Sequence, residues 1–345
     1  MAQLQQFITG ISDDPRTLVV VFLRGGADGL NMVAPLEDDG YFRARCRIAI
    51  RKEKAIALDG FFGLNPLLGP LALPYRDGAL AIIHAVGSED DTRSHFEAQD
   101  LMERGGLSSS GGWLGRFLRA LPHGSTAPLA AVAVGTSIPE SLRGAPACTV
   151  MDSLESFRLG AKSPQFAAAL GRLWTREPAP LGPAGRDSLR ALDRIEQLSR
   201  KPYSPDLNAH YPQNSLARAL REVARLIKGR VGLVAASIDL DGWDSHITQG
   251  AIMDPLMEQL AGGLAAFYRD LGKLIETTTV VIMTEFGRRV YENASFGTDH
   301  GRGSVMFILG GGVRGGRVIA RWPTLNREIL EGPGDLPVTT NYRNV

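Results

Sequence analysis

The sequence predicts an α/β protein built on a doubly wound, mostly parallel sheet. Two observations carry this expectation. Six short, continuous runs of apolar and β-branched residues read as strands buried on both faces, and helical patterns lie between most of them. Strand and helix alternating in this way describes a sheet covered on both sides by helices. With 345 residues, 44% of them hydrophobic and 22% charged, the chain can bury a substantial core.

The first strand is expected over 17–23 (TLVVVFL), ending at Arg24-Gly25-Gly26. The others are expected over 79–86, 130–134, 231–238, 279–283 and 305–309. Helical spacing covers 94–104, 112–121, 163–175, 187–200, 215–228 and 251–275. The stretch 176–186, with three prolines and two glycines, is read as a linker, and 201–212 as a loop. We read the chain as a single domain over 1–345. The helices at about 160–228 interrupt the strand–helix alternation and suggest a helical insert or lid. The glycine run 310–316 lacks the Lys-Ser/Thr ending of a nucleotide loop and precedes no clear helix, so it is read as a strand-connecting hairpin.

Charge and composition exclude several classes. A formal charge of +1 leaves no excess of Lys and Arg to neutralise phosphates, which argues against nucleic-acid binding. Cys46 and Cys148 are the only cysteines, too few for a disulfide framework or a thiolate metal site. Residues 1–16 carry no basic segment followed by an apolar run, and no run approaches the roughly 20 apolar residues of a membrane-spanning helix. A soluble protein is expected, cytoplasmic as the sequence stands, and periplasmic or exported if a leader has been removed. The last ten residues stop without a terminating helix, which suggests truncation relative to related chains. Oligomeric state has no signature in the sequence.

Three of the six histidines lie in short acidic phrases: Ser94-His95-Phe96-Glu97, Asp241-Gly242-Trp243-Asp244-Ser245-His246 and Thr298-Asp299-His300-Gly301. Carboxylate and imidazole close together offer oxygen and nitrogen donors suited to a divalent metal (Zn, Mn, Ca or Mg). The last two phrases, each near a strand, point to a composite site. In doubly wound sheets ligands bind beyond the carboxyl ends of strands, so the polar residues that follow each apolar run matter most. Asp28 follows the first run and is either a site residue or the cap of the next helix. Ser94, at a helix start, suits an anion such as a phosphoryl or sulfuryl group, and equally an N-cap completing S-x-x-E with Glu97. Asp244 and His246 follow a run whose Trp243 implies partial burial, which favours a ligand role. Glu285 is either a ligand or base, or the partner of Arg288 or Arg289. Asp299 and His300 sit in a polar glycine loop with little core rationale. His84, His123 and His210 are read as packing or surface residues.

Taken together, Phe22-Leu-Arg-Gly-Gly-Ala-Asp-Gly-Leu-Asn31, His84-Ala-Val-Gly-Ser88 with Ser94-His-Phe-Glu-Ala-Gln-Asp100, Gly242-Trp-Asp-Ser-His246, Thr284-Glu-Phe-Gly-Arg288 and Gly297-Thr-Asp-His-Gly-Arg-Gly-Ser304 resemble a bacterial family, domain of unknown function 1501. That family looks like a sulfatase-like branch of the alkaline phosphatase superfamily. The resemblance implies an alkaline-phosphatase-like three-layer sandwich, with a mostly parallel central sheet flanked by helices and one or two metals at the strand ends. It implies Asp28 as the acid after the first strand, Ser94 as nucleophile and Asp244 with His246 as an Asp–His pair. A late-strand Asp-His is expected where this chain reads Glu285-Phe286; either Asp299 with His300 supplies the missing donor or the second metal is absent. The implied function is metal-dependent hydrolysis of a small anionic phosphate or sulfate ester. Asp28, Asp244, His246, Glu285, Asp299 and His300 would be ligands, Ser94 or water the nucleophile, His95 an acid, base or ligand, and Arg24 and Arg288 would neutralise the ester oxygens. A catalytically decayed member acting in binding or cell-envelope assembly is the alternative, and a mutase or isomerase acting on a phosphorylated sugar a third.

Overall fold

The computed structural model describes residues 16–106, 110–121, 127–159, 164–200 and 202–345, so the readings made for residues 1–15 and for His123 lie outside the described residues. Nine strands form the main sheet: β1 (Thr17–Arg24), β2 (Leu80–Gly87), β3 (Ala131–Val134), β4 (Thr149–Met151), β5 (Ala235–Asp241), β6 (Thr278–Met283), β7 (Ser304–Gly310), β8 (Arg317–Ile319) and β9 (Thr340–Asn341). The order is β8-β2-β7-β6-β1-β5-β3-β4, with β9 also paired to β2. Only β7 runs against its neighbours; the other pairings are parallel. The mostly parallel sheet flanked by helices is therefore as the apolar runs imply.

β1 lies at the centre because it can be buried on both faces. Val19, Val21 and Leu23 belong to one core, and Val20 and Phe22 to the other, as the two-residue period of a strand requires. Six helices of eight residues or more lie among the described residues: α1 (His95–Arg104), α2 (Trp113–Ala120), α3 (Pro164–Arg176), α4 (Leu181–Ser199), α5 (Ser215–Lys228) and α6 (Gln249–Leu271); α3 packs on α4 rather than on the sheet. α5 begins at an Asn214 cap that accepts from Ala217 N at 2.8 Å. It lays Leu216, Leu220 and Val223 into the first core beside Met257, Leu260 and Leu264 of α6. The second core takes Met102 of α1 with Leu114 and Leu118 of α2. The result is helices, sheet, helices in three layers.

Three local expectations change. The stretch 176–186 is mostly helix, because α4 begins at Leu181 and turns tightly back on α3. Gly185 permits this, since a Cβ there would stand 2.3 Å from the Trp174 ring. The glycine run 310–316 is no hairpin: it passes beyond the end of β2, so that β8 pairs parallel to β2 rather than with β7. β5 starts and ends about three residues later than the apolar run, because Asp239 to Asp241 continue in register with Phe22 to Arg24 of β1. That shift carries two carboxylates, Asp239 and Asp241, onto the end of the strand.

Candidate metal centre

The three acidic phrases meet at the carboxyl ends of β1, β5 and β6. His95 opens α1, Asp244 and His246 follow β5, and His300 lies in the loop before β7. His95 Nε2, His246 Nε2 and His300 Nε2 stand 3.5, 3.1 and 3.4 Å from Asp244 Oδ1. His246 Nε2 and His300 Nε2 approach to 2.8 Å. The donor atoms of His95, Asp244 and His300 all fall within 4.8 Å of one another.

The far side of each ring fixes its tautomer. His95 Nδ1 lies 2.7 Å from Glu285 Oε1, His300 Nδ1 is 2.8 Å from the Arg93 carbonyl, and His246 Nδ1 is 3.4 Å from Asp299 Oδ1. Each acceptor places the ring proton on Nδ1 and turns the Nε2 lone pair inward. His95 Nε2 is buried and has no hydrogen-bond partner among the described residues. Two inward lone pairs at 2.8 Å, on His246 and His300, repel unless a proton or cation lies between them. The donor set and its outer acceptors therefore fit a divalent metal.

Electrostatics hold the carboxylates ionised. Partial burial pushes the Asp244 carboxyl up, but the Arg288 guanidinium 2.7 Å away, then His246 and His95, outweigh it and bring the pKa to about 2. Burial likewise raises Glu285, yet hydrogen bonds from His95, from Gln99 Nε2 at 3.0 Å and from Gly25 N at 2.9 Å leave it below the usual carboxylate range. Gly25 is needed there: its φ is +120°, and a Cβ would come within 2.6 Å of Asp244 N. Asp299 is lowered despite burial by Asn293, His246 and Arg289. Burial lowers His300, against the pull of the Arg93 carbonyl.

Not every expected residue joins this cluster. Asp244, His246 and His300 meet directly, and His95 completes the group. Glu285 and Asp299 stand one layer behind and orient imidazoles. Asp28 faces elsewhere: it is bidentate with Arg45 (2.5 and 3.0 Å) and accepts from Gln249 Nε2 at 2.7 Å. Arg24 pairs with Glu103 at 3.2 Å and Asp239 at 3.0 Å. Arg288 is buried beneath the site, its guanidinium donating to the Gly25, Gly26 and Thr298 carbonyls as well as to Asp244. Ser94 is exposed and caps α1, accepting from Glu97 N at 3.5 Å. The reciprocal half of the capping box is absent, because Glu97 accepts from Thr92 Oγ1 instead. Phe286 packs tilted against both imidazoles, its ring centroid 4.8 Å from that of His95 and 5.0 Å from that of His300.

Sequence reasoning missed Gln99, Arg93, Asn293, Asp335 and Arg45. Gln99 could have been found, since it lies four residues after His95 on one helix face. Arg93 acts through its carbonyl, while its side chain ties to the fully buried Asp335. No local pattern marks such a pair.

A family model described as a protein of unknown function (DUF1501) matches residues 81–339. No curated protein matches the sequence at a significant level. Similar solved structures include the C-terminal periplasmic domain of EcEptC from Escherichia coli in complex with Zn, at 11% identity and a TM-score of 0.38, over 87% of this chain and 73% of that one. The alkaline phosphatase of the Antarctic bacterium TAB5 is similar at 9% identity and a TM-score of 0.36, over 89% of this chain and 95% of that one. The phosphonate monoester hydrolase of Agrobacterium radiobacter is similar at 10% identity and a TM-score of 0.36, over 92% and 74%. At such identities and TM-scores these likenesses carry no argument about what this chain does. No helix among the described residues is long and apolar enough to cross a membrane.

Proposed function

This chain belongs to the DUF1501 family, a family of unknown function, and from that premise we propose a metal-dependent hydrolase of phosphate or sulfate esters, its cation held by His95, Asp244, His246 and His300. The observation that carries the reading is the convergence of three Nε2 atoms around Asp244 Oδ1 while each Nδ1 faces an oxygen acceptor. Three nitrogens and one oxygen suit zinc or a similar transition metal better than calcium or magnesium, which take oxygen.

A divalent metal held there supplies Lewis acidity toward an ester oxygen and lowers the pKa of a nucleophile beside it. The chain's own residues prepare that position. Glu285 keeps His95 in the tautomer whose Nε2 is free to bind, and the Arg93 carbonyl does the same for His300. Arg288 fixes the Asp244 carboxylate from below. Ser94, exposed and next to His95, presents its hydroxyl at the start of α1, where unpaired backbone N–H groups favour an anion. Arg24 is held by two carboxylates and stands outside this group.

Elemental analysis of the purified protein tests the reading, repeated on His246→Ala and His300→Ala and followed by aryl phosphate and aryl sulfate turnover. Near-stoichiometric metal lost in both variants, with turnover lost in parallel, is the expected result. A wild type that takes up no metal on titration overturns it. The internal pairing of both Arg24 and Arg288 favours a second reading, a metal-binding protein that does not hydrolyse esters; stoichiometric metal without turnover of either ester would select it.

A further inference from the structure

Behind His300 lies a short turn, Glu331-Gly332-Pro333-Gly334-Asp335, that the site as described does not explain. It is closed by its own backbone: Glu331 N donates to the Asp335 carbonyl at 3.0 Å, and Asp335 N to the Glu331 carbonyl at 2.8 Å. Gly332 and Gly334 take φ of +48° and +114°, a region that favours glycine, and the ring of Pro333 fixes φ between them. A turn so constrained presents its two carboxylates in one arrangement.

Each carboxylate holds an arginine from a different loop. Glu331 accepts from Arg302 Nη1, and Arg302 Nη2 reaches on to the Ser88 carbonyl at 3.1 Å. Asp335 Oδ2 accepts from Arg93 Nη2. The backbone adds a third segment, since Arg289 and Asp335 form an antiparallel bridge and Val290 N donates to the Gly334 carbonyl at 2.9 Å. The turn thus ties together the stretch leading into α1, the residues after β6 and the loop before β7. His95 lies two residues beyond Arg93, and His300 two residues before Arg302.

Asp335 is the costly member. It is fully buried, and its Oδ1 has no hydrogen-bond partner among the described residues; nor have the buried Nε atoms of Arg93, Arg289 and Arg302. Burial raises its pKa against the pull of Arg93 first, then of Arg289 and Arg302. An apolar residue would avoid the desolvation of a half-paired carboxylate. What Asp335 supplies is the position of one carbonyl. Residues 88–94 belong to no strand or helix, so no ladder fixes the Arg93 backbone. The side-chain tether to Asp335 does, and the Arg93 carbonyl faces His300 Nδ1 at 2.8 Å. An imidazole whose outer partner drifts loses its tautomer and its orientation.

We propose that Asp335 is a positioning residue for the metal centre: through Arg93 it holds the carbonyl that keeps the His300 proton on Nδ1 and turns Nε2 toward the cation. The cation rests on the metal-dependent reading above; the tautomer of His300 does not.

Because the acceptor is a main-chain carbonyl, Arg93→Gln removes the tether and leaves the acceptor atom in the chain. Two readouts test the proposal: zinc affinity by chelator competition, and the His300 tautomer by nitrogen NMR of the metal-free protein at about pH 8, where imidazoles are neutral. Arg93→Gln and Asp335→Asn should each weaken zinc binding about tenfold, the low end for loss of a ligand's outer partner, and move His300 toward the form protonated on Nε2. Arg93→Lys keeps a cation on Asp335 and should restore most of the affinity. The double variant Arg93→Gln/Asp335→Asn no longer buries a carboxylate without its partner, so its stability to urea should exceed that of Arg93→Gln while zinc binding stays weak. Arg93 is partly exposed, so its variants stand if Asp335→Asn fails to fold. Wild-type zinc affinity or an unchanged His300 tautomer in folded Arg93→Gln would overturn the proposal. So would zinc affinity that recovers together with stability in the double variant, the behaviour of a purely structural ion pair. A wild type that takes up no zinc sinks the hydrolase reading instead, and the His300 tautomer then decides the positioning role alone.

Discussion

Replacing Asp28 with asparagine separates a ligand from a structural ion. The family resemblance implies Asp28 as a metal ligand, yet both its oxygens are taken up by Arg45, and Gln249 binds one of them as well. Asp28 is 1% exposed and Arg45 is fully buried. Removing one charge of a buried pair typically costs about 3–5 kcal/mol, because the other is left uncompensated. Asparagine keeps one acceptor oxygen but turns an amide toward the guanidinium, so the loss should lie near about 3 kcal/mol. For a chain of this length a kilocalorie shifts the melting temperature by about 2 °C, giving a drop of roughly 6 °C. Urea unfolding and calorimetry measure the loss, and elemental analysis of the folded variant measures metal. The expectation is a destabilised protein with unchanged metal content. Metal lost at unchanged stability would refute this account of Asp28 and return it to the ligand set.

Other expectations follow from neighbouring contacts. Glu285→Gln removes the carboxylate behind His95 and should weaken metal affinity roughly 10–100-fold in a chelator-competition titration; wild-type affinity would deny Glu285 an orienting role. Ser94→Ala should cost about 1 kcal/mol of stability through the lost cap, and activity assays decide the rest, since turnover unchanged in this variant excludes the serine as nucleophile. His84 is fully buried, with Nε2 2.9 Å from the Val33 carbonyl and Nδ1 accepting from Ala85 N at 2.8 Å, and burial lowers its pKa from 6.5 to about 4. The unfolded chain then binds the extra proton first. Stability from neutral His84 is complete above about pH 6.5 and falls by roughly 3 kcal/mol as the pH drops toward 4. Urea titrations at pH 7.5 and 4.5 should show a smaller difference for His84→Gln than for the wild type, and equal differences would contradict the assignment.

The layered sheet was legible because its strands are fully buried, and burial on both faces leaves a continuous apolar run such as residues 17–23. The end of β5 was harder to place. Asp239 and Asp241 break the apolar pattern, yet register with β1 holds them in the strand. Asp244, His246 and His300 could be found because residues at strand ends with no apolar rationale are few. Glu285 and Asp299 stood out as candidates, although which atom they face depends on ring orientations that no spacing encodes. Arg45 and Asp335 left no trace, because their partners lie 17 and 242 residues away along the chain and an isolated loop charge looks like any solvated one.

The separation of the ligands along the chain has a consequence for the order of events in folding. His95 reaches Glu285 across 190 residues, and His300 reaches the Arg93 carbonyl across 207. Contacts so distant form late, after the loops between them have closed. No short stretch of the emerging chain offers more than a fragment of the donor set. Under the proposed function a cation would therefore enter a finished sheet, stabilising the native state by mass action while leaving the refolding rate nearly untouched and slowing unfolding.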